Sequence, residues 1–167
     1  MHPEPRADVA VRRAEAADAA AILALARAVR IHARNLDWRS FVVATAPGGE
    51  LVGCVQVRPC PGGYHELKTV AVAPAWRGRG VARAMAELVV PGGPRPLFGV
   101  CLASMAAFYE RFGGAPAASP PRRLRWERAA VNLILWLRGR PDRAVIMGLG
   151  SAPAHSGSSP KALRGRQ

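Results

Sequence analysis

The sequence predicts an α+β domain, a mixed and mainly antiparallel sheet flanked by helices. Three observations carry this. Half of the 167 residues are apolar, enough for one domain with a core. Alternating apolar runs follow one another across short Gly/Pro turns, as in antiparallel hairpins. Later in the chain a strand pattern, a helix pattern and a second strand pattern succeed one another, as in a β–α–β step.

The elements are read in order. Val9–Arg12 is a short strand. Asp18 is placed to cap a helix reaching about Arg30, with Ile22, Leu25 and Val29 on one face. "SFVVAT" is a strand, "APGGE" a hairpin turn and "LVGCVQVR" its partner, with Gly53 as a bulge candidate. "YHELKTVAV" is a longer strand stopped by Pro74. Gly80–Val90 is a helix with Val81, Met85 and Leu88 on one face. "LFGVCL" is a strand, and Ser104–Phe112 a short helix with Met105, Phe108 and Phe112 inward, which leaves Tyr109 turned off the core face. "RRLRWERAAVNLILWLRGR" reads as a basic helix inserted before a last strand, Ala144–Leu149. Residues 1–150 are thus expected to form the domain. Residues 151–167, rich in Ser, Gly, Pro and Ala, are expected to be a disordered tail.

No apolar run approaches the ~18 residues of a membrane span. The first residues lack the apolar core of a secretory signal, and Glu4, Asp8, Glu15 and Asp18 argue against a transit peptide. Cys54, Cys60 and Cys101 are odd in number and lack metal-ligand spacing. They read as reduced thiols in a cytoplasmic protein, with no metal site. The net charge of +13 implies an anionic partner: nucleic acid, an acidic membrane or a phosphorylated small molecule. Much of it lies late in the chain, where Pro120–Gln167 holds ten basic and two acidic residues, net +8.

In "VAVAPAWRGRGVARAMAE", two glycines stand among arginines where a strand gives way to a helix. A helix N-terminus carries unpaired N–H groups and about half a positive charge, which suits an anion. Gly78 and Gly80 have no Cβ to keep an oxygen-rich group away, and Arg77 and Arg79 add positive potential. A pyrophosphate fits that chemistry; a tight turn on a basic surface fits it too. The Gly-Lys-Ser/Thr ending of a P-loop and the third glycine of a dinucleotide fingerprint are both missing.

"RGRGVA", Arg77 to Ala82, resembles the R/Q-x-x-G-x-G/A signature of the GCN5-related N-acetyltransferases (GNAT). "AAFYERFGG", Ala106 to Gly114, is similar to that family's A-x-x-F-Y-E-x-x-G-F segment. The two stand in the family's order, and the resemblance extends over roughly Val9 to Gly114. It implies the GNAT fold and an acetyl-CoA-dependent N-acetyltransferase acting by direct attack of an amine on the thioester. The resemblance implies that main-chain groups of Arg77, Gly78, Arg79, Gly80, Val81 and Ala82 hold the pyrophosphate. It further implies that the backbone of Val70, Ala71 and Val72 pairs with the pantetheine arm, and that Tyr109 is the general acid for the thiolate. Glu66, eleven residues before Arg77, matches the offset of the catalytic glutamate in the family's GCN5-type histone acetyltransferases. A partly buried Glu66 with a raised pKa would serve as base; ordered water or His65 are the other routes. Two positions depart from the family. Leu102 stands where Asn usually contacts the pantetheine, with Ser104 as a partial substitute, and Gly113-Gly114 replaces Gly-Phe.

The segment Leu124 to Arg138 is apolar between arginine clusters and carries two tryptophans. Three readings stay open: a helix packed on the domain, a homodimer or partner surface, and a helix lying on an anionic membrane, against which Asn132 speaks. The alternative function is a catalytically impaired CoA-binding module whose basic C-terminal region contacts nucleic acid, membrane or protein. A CoA-independent RNA-binding protein fits least, since no aromatic-studded basic strand face is present. The acceptor amine, on a small molecule or peptide, is not legible; the basic surface leans toward an acidic one.

Overall fold

The computed structural model describes residues 8–31 and 36–150. The expected tail, 151–167, lies outside the described residues, as does part of the connector after the first helix.

Seven strands form one sheet: β1 (Ala10–Arg13), β2 (Phe41–Thr45), β3 (Leu51–Cys60), β4 (Tyr64–Val72), β5 (Leu97–Leu102), β6 (Ala115–Pro116) and β7 (Ala144–Leu149). Their spatial order is β1-β2-β3-β4-β5-β7-β6. Every pairing is antiparallel except β4 with β5. That exception follows from the connection, because α2 (Val81–Gly92) crosses over between those two strands. The fold class read from the sequence is therefore the one observed.

Both faces of the sheet are covered. On one, Val81, Met85, Val89 and Val90 of α2 are buried against Val52, Val55 and Leu67. Each such side chain contributes roughly 1.5–3 kcal/mol by leaving water, more than the propensity of a short helix supplies. Gly53 is required by this contact rather than by a bulge. A Cβ there would lie 2.8 Å from Val81 Cγ1 and 3.1 Å from Met85 Cε. The bulge falls beside it, where Ala44 pairs with Gly53 but Thr45 with Leu51, leaving Val52 over. Leu88, expected inward, is exposed, and Val89 takes its place. On the other face, Ile22 and Leu25 of α1 (Ala19–Ala28) pack on Phe41, Val43, Cys54 and Ala71. Asp18 does not cap α1; its carboxylate takes Arg12 (2.7 Å) and the Glu15 N–H (2.7 Å).

α4 (Arg122–Leu137) lies on the same face as α1 and precedes β7. Leu124 is buried there with Cys60, Tyr64 and Ile146. Asn132 faces the sheet: Ala144 N–H donates to its Oδ1 (2.6 Å), and its Nδ2 donates to Ala144 O (3.3 Å).

Candidate functional site

The site begins where two neighbouring strands part. β4 and β5 are in register only from His65–Leu67 against Leu97–Gly99. Both run on, β4 to Val72 and β5 to Leu102, and their outer edges stay paired with β3 and β7. The two inner edges therefore diverge as a V. A bulge in β4 accompanies this. Cys54 pairs with Ala71 and Gln56 with Lys68, so Thr69 and Val70 together stand opposite Val55. Thr69 adopts φ 53°, a left-handed conformation rare for a β-branched residue and costing about 1–3 kcal/mol. Its hydroxyl donates to Gln56 Oε1 (3.3 Å), which holds it there. The bulge also resets the pleat. Glu66 and Lys68 share a face, but Ala71 follows them onto it, while Val70 is exposed at the V.

The pleat sorts the backbone of Val70–Val72. Ala73 N–H donates to Val52 O (2.8 Å), so alternation turns Ala71 toward Cys54 and Val72 toward the open edge. The Val72 carbonyl accepts a long hydrogen bond from Arg77 Nε (3.4 Å), as that orientation requires. Of the three expected backbone partners, Val70, Ala71 and Val72, Ala71 is thus spent within the sheet.

A cavity of about 320 Å³ fills the V, lined among others by Leu67, Val70, Cys101, Phe108 and Tyr109. A hollow of about 290 Å³ adjoins it, walled by Val72, Trp76, Arg77, Gly78 and Gly80. Ala82 and Phe108 line both, so the two form one groove from the strands to the start of α2. Gly78 (φ 73°) and Gly80 (φ 86°) are left-handed, and Gly80 caps α2. Their first requirement is conformational, since a side chain there costs roughly 1–2 kcal/mol. Around Gly78 a Cβ would meet nothing within 4 Å, so the approach to its backbone is open. Arg79 lies over the Trp76 ring (5.2 Å), and Arg77 is exposed beside Gly78.

Tyr109 sits on α3 (Ala106–Glu110) and is buried, contrary to its expected place off the core face. Met105, expected inward, is exposed instead. Met105 falls in the preceding 3₁₀ turn, Ala103–Met105, rather than in the helix, while Phe108 and Phe112 still pack against the core. Burial pushes the Tyr109 phenol up to about 12, with the neighbouring Cys101 adding to it. The phenol therefore keeps its proton throughout the neutral range. Gly114 is needed behind it, because a Cβ there would stand 2.8 Å from the Tyr109 carbonyl oxygen.

Two expected residues lie elsewhere. Ser104 is exposed and its hydroxyl donates to Asp142 Oδ2 (2.5 Å), across the β5 and β7 ends, rather than entering the cavity. Glu66 is 1 % exposed and lies under α4, inside an ion cluster. Arg58 Nη2 reaches its Oε2 at 2.7 Å, and Lys68 Nζ its Oε1 at 3.1 Å. Lys68 also contacts Glu127 of α4 (2.5 Å). Burial alone would raise the Glu66 carboxyl; the hydrogen bonds and charges of Arg58 and Lys68 outweigh it, and the pKa is lowered. The raised pKa expected for a base is therefore corrected. His65 is no nearer, as it lines a separate cavity of about 810 Å³ with Arg13 and Arg39, and its Nδ1 is buried without a partner among the described residues. Sequence reasoning missed Cys101 and Thr69. Cys101 sits in an apolar strand run and Thr69 in a mixed one, and nothing in either marks the residue that turns to a cleft.

Glu66 gives a prediction. A carboxyl held below its ordinary 4.5 stabilises the fold above that pH, and the contribution is lost as pH falls through the folded value. Glu66→Gln is expected to cost about 2–3 kcal/mol at pH 7, below a fully buried pair because Arg58 and Lys68 reach water. Thermal melts should show the gap to wild type closing in acid. A gap constant with pH would show that the ion cluster contributes nothing.

Residues 37–113 match the family model described as an acetyltransferase (GNAT) domain. No curated protein matches the chain. Several solved structures share its fold. N-acetylglutamate synthase from Neisseria gonorrhoeae, complexed with coenzyme A and N-acetylglutamate, superposes with a TM-score of 0.61 at 20% identity over 86% of this chain. This chain spans about a third of that protein's length, 36%. A Mycobacterium tuberculosis protein solved with coenzyme A gives 0.57 at 21% identity, covering 84% of this chain and 99% of its own. A GNAT-family protein from Desulfovibrio desulfuricans gives 0.54 at 24% identity, covering 84% of this chain and 98% of its own.

Proposed function

We propose that this chain, which carries a GNAT domain, is an acetyl-CoA-dependent N-acetyltransferase. The observation that carries the reading is the continuous groove from the parted β4 and β5 edges, past Tyr109, to the left-handed glycines before α2. Acetyl-CoA supplies a thioester as the acyl donor. Its pantetheine arm would pair with the open Val72 edge beside Val70, and its pyrophosphate would take main-chain N–H groups of Arg77–Ala82. The tyrosine hydroxyl donates toward the sulfur as the amine attacks and the thiolate leaves.

The amine must arrive neutral. Glu66, ionised but bound by two cations, is a positioning residue for Lys68 and α4 in this reading, and the proton departs through water. Glu66→Gln should then leave the ratio of mutant to wild-type rate flat between about pH 6 and 9, either side of an α-amino group's pKa. A defect that grows in acid would restore Glu66 as the base. The acceptor class expected on the basic chain is an amine with acidic neighbours. The function is tested by thiol release from acetyl-CoA with and without a panel of amines. Amine-dependent release is expected; tight binding without release would leave the chain a CoA-binding module.

A further inference from the structure

α4 keeps its inner face for the sheet and leaves an apolar outer one. Leu124 and Asn132 anchor it, and Glu127 turns inward to Lys68. Exposed on the rest of the helix are Trp126 and Trp136, each at 73 %, with Leu137 at 68 % and Leu133 and Ile134 also exposed. Helical spacing aligns Trp126, Leu133 and Leu137 along one stripe, with Ala129 and Ala130 between. The helix is ~24 Å long and its two tryptophans are ~15 Å apart along it. Exposed Arg122, Arg125, Arg138 and Arg140 flank the stripe.

We infer that this face binds an anionic lipid surface, the helix lying in the plane of the headgroups. The charges choose the occupant. Glu127 is the helix's one acid and is committed to Lys68, so the outer rim is wholly cationic. A second copy docked about a twofold axis would set these arginines against their own counterparts. A nucleic acid would answer the arginines but leave the Leu133–Leu137 stripe in contact with nothing apolar. A membrane of anionic lipid offers phosphate and acyl chain at the same depth, where tryptophan also partitions. Asn132, which the sequence set against lipid contact, is satisfied by Ala144 on the far side. Among the described residues no helix is long and apolar enough to cross a membrane, so the contact is peripheral.

The test uses the full-length chain and phosphatidylcholine vesicles with and without phosphatidylglycerol. Flotation with the anionic vesicles alone is expected, weakening with salt. Tryptophan emission should shift to the blue and be quenched by brominated acyl chains, and W126F/W136F should lose that quenching. Leu133→Glu with Leu137→Glu should weaken partitioning roughly 10-fold or more, with an unchanged melting temperature because both side chains project outward. Three results would overturn the inference: no flotation; flotation equal in the double variant and without acyl-chain quenching, which is charge alone; or a dimer in sedimentation that the double variant dissociates.

Discussion

Gly80→Asp is expected to abolish coenzyme A binding while the domain stays folded. Gly80 is the left-handed cap of α2, so any side chain there carries strain of roughly 1–2 kcal/mol. Asn and Asp tolerate that conformation best and share a shape. Gly80→Asn therefore measures the strain and bulk, and Gly80→Asp adds only a charge. With a carboxylate beside the N–H groups meant for a pyrophosphate, the Asp variant should bind coenzyme A at least about 100-fold more weakly than the Asn variant, about 2.7 kcal/mol. Calorimetry on both, with melting curves to verify folding, reads the difference. Equal affinities would place the pyrophosphate elsewhere.

Tyr109→Phe is expected to lower turnover by roughly 10²-fold with little change in acetyl-CoA affinity. The ring is buried among Phe108, Cys101 and the β7 residues and would pack unchanged; only the hydroxyl at the cavity is lost. The pKa shapes the mechanism. A phenol at about 12 is a poor full donor to a thiolate of ordinary pKa near 8.5, since the transfer runs uphill by roughly 5 kcal/mol. Its work is then a hydrogen bond to the developing charge, with water completing the protonation. Wild-type rates should accordingly show no loss from tyrosine ionisation up to about pH 10. A falling limb near neutrality that vanishes in Tyr109→Phe would contradict this.

Most elements of the sheet were legible because their patterns are strong and bounded; β6, only two residues long, was not. β4, β5 and β7 fall on the residues expected, each closed by a turn or proline. The glycine turn was legible too, since few local structures need two glycines among cations before a helix. Faces were harder. Leu88 and Met105 were placed inward by spacing alone, and Tyr109 outward, because a 3₁₀ turn or a shifted helix phase leaves no mark in composition. The Thr69 bulge redirects everything after it in β4, yet a threonine in a strand run announces nothing. Glu66 shows the deepest limit. Its distance from Arg77 is a property of one strand, whereas its pKa is set by Arg58 on β3 and by Lys68, itself held by Glu127 on an element 59 residues later.

The central claim is that the open edge of β4 and the glycine turn are one coenzyme A site. Amide hydrogen exchange of the wild-type chain, with and without coenzyme A, tests it most directly. The account predicts slower exchange at Val72 and across Gly78–Ala82, with Ala71 unchanged because its N–H already faces Cys54. Unchanged exchange at Val72 and the turn, with protection around His65 or beneath α4 instead, would contradict it.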